Sequence, residues 1–101
     1  MSVKLVVLYT CSDDADAFEQ HYLQTHVPLV NAIPGLVDWE SARIDGAADG
    51  GEQTYHRIVE LYFADDAALQ AALSSDEGRR TADDFRRIAP PGSRMFVAKV
   101  D

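Results

Sequence analysis

The sequence predicts an α+β domain in which a four-stranded antiparallel sheet carries its helices on one face. The first observation is the order of the periodic segments along the 101 residues, which runs strand, helix, strand, strand, helix, strand. The second is a first strand that is apolar on both faces, in a chain with helices enough to cover only one. Right-handed crossovers and short connections then give the ferredoxin-like βαββαβ arrangement. We expect residues 1–101 to form a single domain.

The first predicted strand runs from Val3 to Thr10. One of its alternating faces carries Val3, Leu5, Val7 and Tyr9, and the other carries Lys4, Val6, Leu8 and Thr10. Because the helices can cover only one face, the second apolar face predicts pairing with another copy of the chain. The expected assembly is a homodimer in which two sheets pack face to face, a dimeric α/β barrel.

The first predicted helix ends by Pro34-Gly35 and has an unusual inner face. Residues at steps of three and four form one stripe that should press onto the core, namely Phe18, Tyr22, His26, Leu29 and Ile33. Pro28 follows His26 by two residues, lacks an amide hydrogen and crowds the preceding turn. We therefore expect the helix to kink or break close to the imidazole and to leave room beside the ring.

His26 and Tyr22 are candidates for proton transfer, because imidazole changes charge near neutral pH and phenol can donate or accept a hydrogen bond. The alternative is a structural histidine, hydrogen-bonded in the core to the carbonyl that Pro28 leaves without a donor. His21 precedes His26 by five residues, so an α-helix places it on a different face. The two histidines therefore make a poor metal chelate.

The remaining elements follow from alternation, caps and breakers. A second strand covers Leu36 to Asp45, and a third covers Tyr55 to Phe63. A short helix begins at Asp65 or Asp66, a second helical piece covers Asp76 to Ile88 with Phe85 and Ile88 as anchors, and a last strand runs from Arg94 to Val100. On the third strand His56 and Glu60 share a face, which indicates an edge or interface salt bridge as readily as chemistry.

Composition excludes several classes of function. The formal charge of −8 disfavours nucleic acid and anionic membranes as partners. Cys11 is the single cysteine, so the chain has no internal disulfide and no cysteine metal cage. The glycine-rich turn at 46–51 lacks the lysine of a nucleotide loop. The longest apolar run, Leu5 to Tyr9, is too short to span a bilayer, and the N-terminus has no secretion signal, so a cytoplasmic location is expected.

Several segments, taken in order, resemble the EthD-like proteins. They are His21-Tyr22, Thr25-His26-Val27-Pro28-Leu29, Ile33-Pro34-Gly35-Leu36, the run from Tyr55 to Phe63, and Ser75-Asp76-Glu77-Gly78-Arg79. The resemblance covers nearly the whole chain and implies the dimeric α/β-barrel fold. Members of the family often carry tryptophan where Tyr62 stands, and that departure bears on the shape of the pocket more than on its chemistry.

The resemblance also implies a function. Family members are often called reductases, and related barrels isomerise lactones, cyclise polyketides or oxidise polyphenols without a cofactor. Carried over to this chain, the motif makes His26 the catalytic base, with Tyr22 and His21 orienting it or the substrate. The substrate would be a small hydrophobic or aromatic carbonyl compound, with Tyr22 or Tyr62 hydrogen-bonding the developing oxyanion. The expected pocket residues are Trp39, Tyr62, Phe85 and Phe18.

Two alternatives remain open at the level of sequence. One is a non-catalytic dimer that binds a hydrophobic metabolite or assists another enzyme. The other is a haem-binding or haem-degrading relative, which ranks last because the sequence shows histidines and no other sign of haem. No cofactor and no metal is predicted.

Overall fold

A computed structural model describes residues 2–101. Its elements in chain order are β1 (Val3–Thr10), α1 (Ala15–His21), a π-helical segment (Tyr22–His26), α2 (Val27–Asn31), β2 (Asp38–Arg43), β3 (Tyr55–Phe63), α3 (Asp66–Ser74), α4 (Asp76–Ile88) and β4 (Arg94–Lys99). The sheet has the strand order β2-β3-β1-β4, and every neighbouring pair is antiparallel. The predicted ferredoxin-like α+β fold is confirmed, and the second strand is shorter than predicted at both ends.

The hydrophobic core lies between one face of the sheet and the helices. The inward side chains of β1 and β3 meet side chains from the helices in a single cluster that includes Val7, Val59, Phe18, Val30 and Leu69. Because side chains alternate between the two faces of a strand, every second residue of β3 is buried, namely Arg57, Val59, Leu61 and Phe63, and the residues between them are not. Within residues 2–101, no helix has the length and apolarity needed to cross a membrane.

The first helix does not break at Pro28. The helical path continues from α1 through the π-helical segment into α2, and the widened turn lies immediately before the proline. In this turn the amide of Val27 donates to the carbonyl of Tyr22, five residues back. The buried residues of the helix consequently recur at steps of four, as Phe18, Tyr22, His26 and Val30. Val30 is therefore the residue of α2 that faces the core, where the predicted stripe had Leu29.

A register shift in the pairing of β1 with β3 turns His56 toward the helices. Tyr9 pairs with Arg57 and Thr10 pairs with Tyr55, so His56 is the extra residue of a β-bulge. Its imidazole lies edge-on to the ring of Phe18, at a centroid distance of 5.6 Å. The prediction that His56 shares a face with Glu60 is wrong, because strict alternation does not hold across a bulge.

None of the helices among residues 2–101 packs on the other face of the sheet. The register places these side chains on it: Lys4, Val6 and Leu8 of β1, Ile58, Glu60 and Tyr62 of β3, Asp38, Glu40 and Ala42 of β2, and Arg94, Phe96 and Ala98 of β4. Glu60 is paired within the chain, since it accepts from Lys4 Nζ at 3.2 Å and from the Tyr62 hydroxyl at 2.9 Å. The centre of this open face is apolar, and Phe96 on it is 40% exposed.

Candidate active site

An apolar cavity of about 80 Å³ lies between the sheet and the helices. Its walls come from β1, β3 and β4 and from the π-helical segment, α2, α3 and α4, and among them are Val7, Val59, Phe63, Ala72 and Phe85. Leu73 and Met95 are the most exposed lining residues, at 39% and 42%, so the cavity opens between α3 and β4. The polar side chains on its wall are Tyr9, His26 and Thr81. The Thr81 hydroxyl is hydrogen-bonded within its own helix, where it donates to the carbonyl of Glu77.

His26 is held at the cavity by a buried carboxylate and a buried phenol. Its Nδ1 lies 2.7 Å from Asp84 Oδ2, and its Nε2 lies 3.3 Å from the Tyr9 hydroxyl. An ionised carboxylate only accepts hydrogen bonds, so Nδ1 carries the ring proton and donates it to Asp84. Nε2 is then the unprotonated nitrogen, and the Tyr9 hydroxyl donates to it. The basic lone pair of Nε2 therefore lies at the cavity wall, where it accepts the hydrogen bond from Tyr9.

The chain places His21 on the same carboxylate. His21 Nε2 lies 2.8 Å from Asp84 Oδ1, so the two oxygens of Asp84 serve two imidazoles. The expectation that His21 and His26 face apart is wrong. Five residues of α-helix would separate two side chains by about 140°, whereas the wider π-helical turn brings them to one side. His21 reaches solvent with 34% of its side chain exposed, against 5% for His26.

Burial controls the ionisation of the site. Removal from water is the largest effect on His26 and lowers its pKa below the ordinary value, against the opposing effect of Asp84. Burial acts to raise the pKa of Asp84, but the hydrogen bonds from His21 and His26 outweigh it, and the pKa lies below the usual range. Burial also raises the pKa of the Tyr9 phenol. A neutral imidazole, an ionised carboxylate and a protonated phenol are therefore the resting forms.

Tyr22 supports the site without touching the cavity. Its ring stacks on that of His26, at a centroid distance of 5.6 Å, and its hydroxyl lies 2.8 Å from the Ser41 hydroxyl. The Arg57 guanidinium lies over the same ring, donates to Ser41 and binds Glu19, with Nε 3.1 Å from Oε2. Burial raises the pKa of Tyr22 despite these neighbours. Tyr22 thus supports the imidazole of His26 from the side of the core.

The predicted pocket residues fall in different places. Phe85 lines the cavity beside His26. Phe18 is buried in the core behind Tyr9, and Trp39 lies on the helix side of β2, where its indole donates to Asn31 at 2.9 Å. Tyr62 lies on the open face, on the other side of the sheet from His26, so it is too far away to stabilise an oxyanion there. Of the four, Phe85 alone is placed where a molecule in the cavity would meet it.

Sequence reasoning missed Asp84 and Tyr9, although each left a signal. On the predicted second helix, Thr81, Asp84, Phe85 and Ile88 share one side at helical spacing, so an acid lies on the inward stripe. A buried carboxylate needs a partner, and an imidazole on a facing helix is an obvious one. Tyr9 alternates with Val3, Leu5 and Val7 on the strand face that the helices cover. Within residues 2–101, no cluster of three or more His, Cys, Asp or Glu side chains is arranged to hold a metal ion.

The fold and the site define a ferredoxin-like α+β protein with a buried Asp84 and His26 pair at an apolar cavity. A model of the EthD domain matches residues 13–91. The chain belongs to the EthD family. It is 32% identical, over 92% of its length and 89% of the relative, to an uncharacterised 11.0 kDa protein of the thcB-thcC intergenic region of Rhodococcus erythropolis.

Solved structures give the same family and fold. An ethyl tert-butyl ether d (EthD) family protein of Bacillus halodurans is 36% identical, covers 100% of both chains and superposes with a TM-score of 0.94. A dimeric ferredoxin-like protein of unknown function from Jannaschia is 14% identical, with a TM-score of 0.79 over 99% of this chain and 100% of that one. SnoaB, a cofactor-independent oxygenase from Streptomyces nogalater, is 18% identical, with a TM-score of 0.68 over 98% and 92%. The last two show likeness of fold alone.

Proposed function

We propose that this chain is a cofactor-independent enzyme that removes a proton next to the carbonyl of a small, neutral, apolar molecule. The observation that carries the proposal is the unprotonated Nε2 of His26 at the wall of an apolar cavity, with Asp84 fixing the tautomer from behind. A neutral imidazole near pH 7 is a suitable general base, and a positioned base contributes about 10² to 10⁴ in rate. The SnoaB likeness is consistent with chemistry that needs no cofactor.

The proton transfer is a short sequence of steps. Nε2 of His26 takes the α-proton, and the negative charge of Asp84 stabilises the imidazolium that forms. The Tyr9 phenol, held protonated by burial, turns from Nε2 to the substrate oxygen and donates to the developing enolate. The enolate can then be reprotonated elsewhere, attack a second carbonyl or react with dioxygen. These three fates correspond to an isomerase, a cyclase and an oxidoreductase.

The cavity limits the substrate to a neutral, mainly apolar molecule. Among the described residues that line it, none is lysine or arginine, and the ionised Asp84 behind His26 repels anions. The volume of about 80 Å³ admits only a small group, since a cavity of about 150 Å³ is occupied by benzene in a well-studied case. A larger molecule would insert its carbonyl end and extend past Leu73 and Met95 to the surface.

Exchange of α-protons in D₂O tests this proposal without a known substrate. Small neutral ketones and lactones, such as cyclopentanone and γ-butyrolactone, are incubated with the protein, and loss of their α-proton signals is followed by NMR. The active form is neutral His26, so the rate rises with pH through the pKa of His26. Because burial lowers that pKa, half-maximal exchange should lie at a pH below the ordinary value of about 6.5. Exchange no faster than in buffer for all probes, or a midpoint above 7, would contradict the proposal.

We also propose that the chain acts as a homodimer formed through the open face of the sheet. Val6, Leu8, Ile58 and Phe96 form the apolar centre of that face, which no helix covers. An apolar face of this kind on an antiparallel sheet calls for a second layer. The Jannaschia protein of the same fold is described as dimeric. Two copies would bury these side chains against each other and leave one cavity in each protomer.

Substitution of Phe96 by glutamate should convert the dimer to a monomer. The change puts a charge among the apolar side chains of the open face, beside Val6 of β1, where an unpaired charge would be costly to bury in a dimer. Light scattering after size-exclusion chromatography should give twice the chain mass of 11.1 kDa for the unchanged protein and the single mass for Phe96→Glu. The control is Leu23→Glu, at a residue that is 56% exposed on the π-helical segment, which should remain dimeric. A monomeric unchanged protein would refute the dimer.

A second candidate function is binding without catalysis. It is favoured by the cavity wall, on which the polar groups of Tyr9, His26 and Thr81 all have hydrogen-bond partners within the chain. A binding protein would take up a small neutral probe such as cyclopentanone equally at pH 5 and pH 8 and would leave α-proton exchange at its buffer rate. The enzyme proposal requires the opposite result for exchange.

A further inference from the structure

Asp84 is shared between two imidazoles that differ in their access to water. His26 uses Oδ2 at 2.7 Å and His21 uses Oδ1 at 2.8 Å. The side chain of Asp84 is 3% exposed and that of His26 is 5% exposed, whereas His21 is 34% exposed. One buried negative charge therefore lies between a buried ring at the cavity and a ring at the surface. The π-helical segment is what places both rings on this carboxylate.

We propose that His21 is a positioning residue that keeps His26 in its neutral, basic form by competing for the charge of Asp84. The inference rests on the proposed function of His26 as a base. Because His21 and His26 share a single carboxylate, only one of them can be protonated with a full counter-charge beside it. A proton on His21 withdraws the charge that would otherwise favour a proton on His26.

Other charged and titratable groups near Asp84 do not supply the same effect. From α4, the Arg87 guanidinium approaches Oδ1 at 3.9 Å, but its side chain is 73% exposed and screened by water. From β1, the Tyr9 hydroxyl faces Nε2 of His26, and burial keeps it protonated. His21 and His26 are the groups in direct hydrogen-bond contact with the carboxylate. His21 is thus the group whose change of charge is felt most at His26.

The geometry of the hydrogen bond also fixes where the carboxylate points. His21 Nε2 holds Oδ1, so the second oxygen is directed at Nδ1 of His26. Glutamine can place an amide N–H close to the position of a histidine Nε2–H. His21→Gln should therefore keep the hydrogen bond to Asp84 while removing the group that can carry the charge. The substitution separates charge competition from simple support of the carboxylate.

The test follows the ring nitrogens of His26 by ¹⁵N NMR between pH 5 and pH 8, in the whole protein and without any ligand. In His21→Gln the ratio of protonated to neutral His26 at a fixed pH should rise at least about threefold, because the competing cation is gone. The control is His56→Gln, at the remaining histidine, which lies near Glu19 and not near Asp84. It should leave the His26 ratio unchanged.

The unsubstituted protein provides a second measurement. Any change of the His21 ring signals between pH 5 and pH 8 should be accompanied by a shift of the His26 ring signals, because both rings share Asp84. If His21→Gln leaves the His26 ratio as it is, or if His56→Gln raises it equally, the inference is wrong. The proposed function is tested separately by α-proton exchange: exchange with an unchanged His26 ratio would refute the role of His21 alone. If His21→Gln raises the His26 ratio but the protein catalyses no α-proton exchange, the proposed role of His26 as a base is wrong. The role of His21 in keeping that base neutral is then wrong as well.

Discussion

Replacing Asp84 by asparagine is expected to lower α-proton exchange by about 10³ to 10⁴-fold, provided that His26 is the base. The carboxylate accepts a hydrogen bond from Nδ1 of His26 at 2.7 Å and from His21 at 2.8 Å. Asparagine has only one acceptor oxygen, and its amide group donates. If the amide faces His26, the ring must shift its proton to Nε2, and the lone pair at the cavity is lost. If it faces His21, the imidazolium of His26 still loses its counter-charge.

The matched control for this substitution is Asp83→Asn. Asp83 is the preceding residue of α4 and forms an exposed ion pair with Arg86, so the variant loses the same formal charge without touching either histidine. It should retain nearly all of the exchange activity. His26→Asn gives the reference for complete loss, because asparagine can still donate to Asp84 from the place of Nδ1 and has no basic nitrogen at the place of Nε2. Since base and carboxylate act as a unit, the double variant should be little slower than His26→Asn alone.

A spectroscopic measurement checks the same prediction without a substrate. Ring ¹⁵N shifts should identify His26 as the Nδ1–H tautomer in the unsubstituted protein, and Asp84→Asn should increase the Nε2–H form. An Nε2–H tautomer in the unsubstituted protein would contradict the arrangement of donor and acceptor. Full exchange activity in Asp84→Asn would contradict the role of the carboxylate.

The fold could be predicted because local patterns and global constraints agree. Alternation gives β3 its correct bounds, Tyr55–Phe63, and the caps and terminal charges give α4 its correct bounds, Asp76–Ile88. The acids at the start of α4 and the arginines at its end complement the helix dipole. With these elements in order, the rules for connections leave few topologies. The edge strand β2 was predicted two residues too long at each end, whereas the other edge strand, β4, was predicted to within one residue.

Of the residues at the candidate active site, His26 is the one that the sequence identifies from its own pattern. An imidazole on the inward stripe of a helix singles out His26, but its partner Asp84 lies 58 positions away, and sequence spacing does not pair residues at that distance. The relation between His21 and His26 depends on a π-helical turn, and helical periodicity assumes that every turn is alike. A single widened turn changes which side chains meet. Such turns are frequent at functional sites.

The misplacement of Tyr62 has a different origin. Alternation along β3 puts Tyr62 on the face opposite to Val59 and Leu61, and the structure agrees with that pattern. The proposal of a phenol near His26 required a tyrosine on the inward face, and Tyr9 of β1 satisfies this requirement. The sequence thus predicts the face of the sheet on which each tyrosine lies. It does not predict which of the inward phenols contacts the imidazole of His26.

Replacing Gly78 by alanine should destabilise the protein by about 3 kcal/mol or more. Gly78 lies in the first turn of α4, at the corner where α3 ends, and a Cβ there would overlap the carbonyl oxygen of Ala72 and lie 3.0 Å from its carbonyl carbon. These atoms belong to the backbone of α3 at the buried residue Ala72, so they cannot move aside as a flexible side chain would. The corner is also fixed by Ser75, whose hydroxyl caps α4 through the Gly78 amide and donates to the Ala72 carbonyl.

Thermal unfolding measures the effect of Gly78→Ala. For a domain of this size, a loss of about 3 kcal/mol lowers Tm by about 12 to 24 °C. The control is Gly46→Ala, because a Cβ at Gly46 meets nothing within 4 Å and should change Tm little or raise it slightly. Gly78 also lines the cavity, and α4 carries Asp84, so any Gly78→Ala protein that folds must shift α4 and loosen the hydrogen bond to His26. A variant with unchanged Tm and unchanged His26 ring shifts would show that α3 and α4 can separate without cost.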